Sequence, residues 1–159
     1  MAGLEDLYRE IILDHYRAPR NRGELAVPPA HRVEGFNPLC GDEVVLYLDV
    51  ADGVITDVKI AGQGCSISQA STSMMSAAVK GTSVADARTL TRAFKALMSI
   101  HESKIGGDTD EVDVAADELA GVRLGDLEAL QGVVKFPVRI KCATLAWNTL
   151  TQGLDELDT

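Results

Sequence analysis

Glu43-Val44-Val45-Leu46-Tyr47-Leu48-Asp49-Val50, followed by Asp52-Gly53 and then Val54-Ile55-Thr56-Asp57-Val58-Lys59-Ile60, sets the architecture. The first run is rich in β-branched and aromatic residues, and Asp-Gly is a two-residue hairpin signal. In the last run Val54, Thr56, Val58 and Ile60 alternate with residues that include Asp57 and Lys59. Two antiparallel strands with one buried face follow. Upstream, Leu4, Leu7, Tyr8, Ile11, Ile12 and His15 keep a helical period until Ala18-Pro19 breaks it. Downstream, Gly62-Gln63-Gly64-Cys65 leads into a small-residue helix through Val79, which Ser66 or Ser68 caps and Gly81 ends. A second helix, capped at Ser83 or nearby, carries Val84, Ala87, Leu90, Phe94, Leu97 and Met98. Asp126 is placed to cap a short helix through Leu127 and Leu130, and Pro137 to end an extended piece. The last helix carries Ile140, Ala143, Trp147, Leu150 and Leu154. The sum is one α+β domain, a small antiparallel sheet with helices packed on one face.

The 159 residues suit a single domain that buries about 68–70% of its unfolded surface. Fifteen Lys+Arg against 24 Asp+Glu give a net charge of −9, which opposes phosphate backbones and anionic headgroups, so neither nucleic acid nor membrane is an expected partner. The apolar run Val44–Leu48 is far short of a bilayer span, and Met1-Ala2-Gly3-Leu4-Glu5-Asp6 has neither a basic n-region nor an apolar h-region. A soluble, cytoplasmic protein is expected. The charge is local: Glu102–Glu128 holds nine acidic residues against Lys104 and Arg123, a net of −7. Gly106-Gly107-Asp108-Thr109-Asp110 reads as a solvated acidic loop, because the spacing lacks the glutamate that closes a calcium loop.

Three cysteines, Cys40, Cys65 and Cys142, are too few and too odd in number for a disulfide framework. Each alone reads equally as a small buried hydrophobe. Context argues for access: Cys40 sits in the turn Asn37-Pro38-Leu39-Cys40-Gly41-Asp42, Cys65 at a helix start, and Cys142 in the first turn of the last helix, beside Arg139 and Lys141. Helix N-termini and cations favour thiolates. Gly41 lets Cys40 and Asp42 bend toward one point, and three thiolates plus a carboxylate make the four ligands of a tetrahedral zinc site. Asp42 reads equally as a turn residue. Such a site carries net −2, which Arg139 and Lys141 are placed to offset, and it leaves no open position for hydrolysis.

Asn37-Pro38-Leu39-Cys40-Gly41-Asp42, Gly62-Gln63-Gly64-Cys65-Ser66-Ile67-Ser68 with Ala70-Ser71, and Phe136-Pro137-Val138-Arg139-Ile140-Lys141-Cys142-Ala143 together resemble the IscU-like (NifU N-terminal) iron–sulfur scaffold superfamily, and within it the SufU branch. The resemblance spans nearly the whole chain, 1–159. It implies a compact α+β fold with a three-stranded sheet, the cysteines and aspartate at one end, and a pyridoxal-phosphate-dependent cysteine desulfurase, of SufS type, as partner. Scaffolds of the IscU type carry His immediately before the third cysteine, where this chain has Lys141, and a Leu-Pro-Pro-Val-Lys-like chaperone motif, of which there is none between Lys104 and Cys142. The acidic segment at about 102–128 resembles the insertion that marks the SufU branch. The resemblance therefore implies a zinc-dependent sulfurtransferase with Zn2+ on Cys40, Asp42, Cys65 and Cys142. Such a protein accepts persulfide sulfur and passes it to the downstream Suf cluster-assembly complex; the alternative is a scaffold holding a transient iron–sulfur cluster.

Transfer requires one thiolate to leave the metal and attack the donor persulfide. Cys40, on a loop between Pro38 and Gly41, is the expected acceptor, and Arg139 is placed to orient the freed thiolate. The resemblance implies that a histidine of the desulfurase fills the vacated position. His15 continues the apolar stripe of the first helix and reads as packed, and His101 lies near a helix end, where charge suits the dipole. His31 belongs to a basic stretch with Arg17, Arg20, Arg22 and Arg32 that reads as solvated surface able to meet an acidic partner.

Overall fold

The computed structural model describes residues 3–106 and 125–157. Helix α1 (Gly3–Arg17) precedes three strands, β1 (His31–Asn37), β2 (Asp42–Ala51) and β3 (Val54–Gln63). Helices α2 (Ser66–Val79) and α3 (Val84–Gly106) follow, then a 3₁₀ segment (Gly125–Lys135) and α4 (Pro137–Leu157). The strands make one antiparallel sheet in the order β1-β2-β3. Strand β1 is the one that residue pattern does not locate. His31-Arg32-Val33-Glu34-Gly35-Phe36-Asn37 carries charge and a glycine, Val33 alone of its apolar side chains enters the core, and Phe36 is exposed.

Central strand β2 turns Val44, Leu46 and Leu48 toward the helices, where they meet Met75, Phe94, Trp147 and Leu150. Val45 and Tyr47 alternate to the other face, opposite Glu34 and Ala61, and Arg32 and Lys59. Both are nevertheless buried. Trp147 stacks on Phe94 with centroids 5.0 Å apart and donates its indole N–H to Ser71 Oγ at 3.3 Å, so its polar edge is satisfied in the core.

The phase of β3 differs from the expected stripe. Ile55, Val58 and Ile60 are buried while Thr56 is exposed. The pairing register shifts between Asp49 and Val50, and the extra residue on β3 turns the face over. The Thr56 hydroxyl donates to the Asp49 carbonyl at 2.9 Å across this bulge.

Helix boundaries follow local chemistry. The sulfur of Cys65, rather than Ser66 or Ser68, caps α2: Cys65 has extended backbone and its Sγ accepts the Ser68 N–H at 3.4 Å. Ser83 caps α3, accepting the Asp86 N–H at 3.0 Å. Pro137 does not close an extended piece. It is the first residue of α4, where its missing N–H loses no helical bond, and a 3₁₀ segment precedes it. Asp126 lies inside the 3₁₀ segment, one residue after its start, instead of capping it, and its Oδ2 stands 2.9 Å from His15 Nε2. His15 is buried, as a packed histidine should be, with Nδ1 2.8 Å from Ser73 Oγ. The Asp126 carboxylate can only accept, so the ring proton sits on Nε2; in the neutral imidazole Nδ1 then accepts from the Ser73 hydroxyl, which itself accepts the Arg20 N–H at 2.8 Å. His31 Nε2 is hydrogen-bonded to Glu156 Oε1 at 2.7 Å. The predicted acidic loop falls largely in 107–124, outside the described residues, and so does the side chain of His101. Among the described residues no helix is long and apolar enough to cross a membrane.

Candidate thiol and metal centre

The β1–β2 turn, the start of α2 and the second turn of α4 converge at one end of the sheet. Asn37 and Asp42 are the last paired residues of β1 and β2, so Pro38-Leu39-Cys40-Gly41 is a four-residue loop. The Cys40 N–H donates to the Asn37 carbonyl at 3.3 Å, and Gly41, at φ 71°, makes the left-handed step that returns the chain into β2. This brings the thiol of Cys40, a carboxylate oxygen of Asp42 and the thiol of Cys142 within 4.8 Å of one another.

Asp42 is 1% exposed, and a carboxylate so placed needs donors. Its Oδ1 accepts the Cys65 N–H at 3.0 Å and its Oδ2 accepts from Asn37 Nδ2 at 3.3 Å. The chain can pass this close only because residue 64 is glycine: a Cβ there would stand 2.6 Å from Asp42 Oδ1. Cys65 is held differently from the other two thiols. Its sulfur lies outside the compact trio, takes the Ser68 N–H, and faces both Cys142 and the Arg139 guanidinium.

Cys142 departs from its expected surroundings. Because α4 begins at Pro137, Cys142 lies in the second turn, and it is fully buried rather than accessible. Burial first, and then its hydrogen-bonding neighbours Asp42, Cys40 and Cys65, hold its thiol well above the ordinary cysteine range. In the metal-free protein it is a thiol, and a cation must displace its proton. Cys40 and Cys65, by contrast, are partly exposed. Arg139 is exposed at the rim, and the nearby sulfurs, Cys65 first and Cys142 second, strengthen its hold on the proton. Lys141, the other cation expected to offset site charge, is exposed on α4.

This donor set fits a zinc ion. Sulfur with one carboxylate is a ligand chemistry that zinc takes, the trio is already within bridging range of a single ion, and Cys65 is tied to the same carboxylate through its amide. The residue that sequence reasoning passed over is Asn37, buried and in contact with both Asp42 and Cys142 Sγ (3.7 Å). Its signal was its place at the head of the Asn37–Asp42 motif. Four apolar residues close in sequence to the site residues, Phe36, Leu39, Phe136 and Val138, are all more than half exposed.

The chain matches the NifU-like N terminal domain over residues 7–143. It is 42% identical to the zinc-dependent sulfurtransferase SufU of Bacillus subtilis (strain 168), over 96% of this chain and 92% of that one. It is 37% identical to the iron–sulfur cluster assembly scaffold protein IscU of Streptococcus pyogenes serotype M1, over 97% and 86% of the two chains. The crystal structure of a nitrogen-fixing NifU-like protein (N-terminal) from Brucella abortus superposes with TM-score 0.74 at 26% identity, covering 97% of this chain and 96% of that one. With three antiparallel strands, the thiols gathered at one end of the sheet and a match across most of its length, the chain belongs to the NifU-like N-terminal domain family.

Proposed function

We propose that this protein is a zinc-holding sulfur carrier of iron–sulfur cluster assembly, taking persulfide sulfur from a pyridoxal-phosphate-dependent cysteine desulfurase of SufS type in the cytoplasm and passing it to the downstream Suf complex. The observation that carries this reading is the convergence of Cys40, Asp42 and Cys142 within 4.8 Å, with Cys65 and Arg139 at its edge. Cys40, Asp42, Cys65 and Cys142 would hold the metal. Zinc, when bound, keeps coordinated sulfur deprotonated at neutral pH.

Cys40 is the acceptor, because it is the thiol on a loop and is partly exposed, whereas Cys142 is locked in a helix core. Its thiolate attacks the outer sulfur of the donor's persulfide. A new S–S bond forms on Cys40, the donor's S–S bond breaks, and the donor cysteine leaves as a thiolate with no net redox change. Arg139, whose guanidinium faces Cys65 first and Cys142 second, would hold the negative charge of the arriving sulfur once Cys40 swings toward that rim. The exposed Phe36, Leu39, Phe136 and Val138, next in sequence to the site residues, support the reading, since exposed apolar residues beside a transfer site suit a partner that must seal it from water.

The similarity to IscU scaffolds supports a second reading, a transient cluster on the same residues, which Lys141 in the histidine position disfavours. Purified protein is expected to hold about one zinc, and incubation with a cysteine desulfurase and cysteine to add 32 Da to the Cys40 peptide, a mass set by the sulfur atom itself. Anaerobic reconstitution that yields a stable coloured cluster transferable to an apo-protein establishes the second reading instead.

A further inference from the structure

Among the contacts at this site, one amide group stands out by what it joins. Asn37 Nδ2 has two hydrogens and two partners: Asp42 Oδ2 at 3.3 Å and Cys142 Sγ at 3.7 Å, the latter 105 residues away in sequence. Its side chain is buried, so these bonds are sheltered from water. Its backbone carbonyl meanwhile accepts the Cys40 N–H. One residue thus touches the carboxylate, the buried thiol and the turn that carries the partly exposed thiol.

The two side-chain bonds have different consequences. A donor on Asp42 Oδ2, with the Cys65 amide on Oδ1, fixes the carboxylate plane and leaves one lone pair on each oxygen free to face a cation. A donor on the Cys142 sulfur withdraws electron density from it, which makes it a poorer nucleophile while leaving it a ligand. Cys40 Sγ receives no such bond from Asn37, whose contact with that residue is through the backbone alone.

Resting on the zinc-carrier reading above, we infer that Asn37 is a positioning residue that keeps Asp42 and Cys142 on the metal and thereby leaves Cys40 as the sulfur that departs. The distinction between fixed and departing thiol is written into which sulfur the amide touches. Outer contacts of this kind are typically worth 10–100-fold in metal affinity.

The test compares the parent with Asn37→Ala and with Asn37→Leu, which keeps the shape and removes both donors. Zinc affinity is read by competition with a chromophoric chelator. Iodoacetamide labelling of the zinc-loaded protein, mapped by peptide mass spectrometry, gives the ratio of Cys40 to Cys142 alkylation. In the parent, zinc is retained and labelling falls on Cys40. Both variants are expected to lose 10–100-fold in zinc affinity and to show a raised share of label on Cys142, while the metal-free forms still unfold cooperatively. Parent-like affinity and labelling ratio in both variants overturn the inference, as does failure of both to fold without metal, which makes Asn37 a residue of the fold. A parent that binds no zinc overturns the carrier reading itself and is recognised before any variant is compared.

Discussion

Strand β2 ends in a hairpin turn on both sides, and the two turns are built differently. At the Ala51 end, Asp52 and Gly53 close the loop in two residues with φ of 52° and 74°, both left-handed, as the twist of paired strands prefers. At the Asp42 end the loop takes four residues, Pro38-Leu39-Cys40-Gly41, spends only Gly41 on a left-handed step, and leaves Leu39 70% exposed. A turn that serves topology alone is as short as the strand twist allows. The longer turn carries a thiol out of the sheet, holds it beside a buried carboxylate, and presents an apolar tip.

The strongest way to break that contrast is Cys40→Ala. It is expected to abolish persulfide formation, read by mass spectrometry after incubation with desulfurase and cysteine, while leaving much of the zinc, since Asp42, Cys65 and Cys142 remain. Full persulfide loading on Cys65 or Cys142 in this variant would place the acceptor off the turn. Next in size, Asp42→Ala should lower zinc affinity at least 10-fold, about 1.4 kcal/mol, in chelator competition. Unchanged affinity makes Asp42 a residue of the fold only, bonded to Cys65 and Asn37 for the turn's sake.

A matched pair of substitutions separates backbone from chemistry. Gly41 and Gly53 both have positive φ, and a Cβ added to either meets nothing within 4 Å, so the steric penalty is that of the backbone alone. Gly41→Ala and Gly53→Ala should each lower stability by roughly 1–2 kcal/mol in urea titration. Only Gly41→Ala should also weaken zinc retention, because its turn aims Cys40 and Asp42. Equal zinc retention in the two variants would show that the longer turn positions nothing.

The same contrast explains which parts of the molecule were legible in the sequence. The Asp52-Gly53 hairpin, the amphipathic helices and the three motifs that carry the cysteines are local patterns, and each is visible in a short window of residues. Strand β1 was not visible from its residues because its pairing with β2, not its own periodicity, makes it a strand. The flipped phase of β3 depends on a bulge opposite Asp49 and Val50, which no pattern within β3 announces. At the site, the residue types were legible and their burial was not. Cys142 reads as accessible at a helix start, but the start lies further upstream, at Pro137, and Asn37, Asp42, Cys40 and Cys65 close around the buried thiol. Asn37 gains its role from a contact 105 residues away.

The smallest expected effect sits far from the thiols, at the end of the sheet where β1 begins. His31 pairs with Leu48 in the sheet and is hydrogen-bonded to Glu156 of α4 at 2.7 Å, so this contact ties the helix to the strand edge. The hydrogen bond from His31, and next that from Gln152, hold the Glu156 carboxyl below its ordinary value of 4.5. A carboxylate whose pKa is lowered by folding stabilises the folded state above its unfolded value, and the contribution is lost as pH falls through the folded value. Because Glu156 is at the surface, solvent screening keeps the contribution small. Thermal unfolding of the parent and Glu156→Gln should therefore differ slightly at neutral pH and converge as the pH drops below 4.5, with equal zinc retention at neutral pH. A difference that persists at low pH assigns the stabilisation to packing of the side chain instead of its charge. A loss of zinc in Glu156→Gln at neutral pH would join the two ends of the sheet energetically, and the division of labour between its turns would no longer hold.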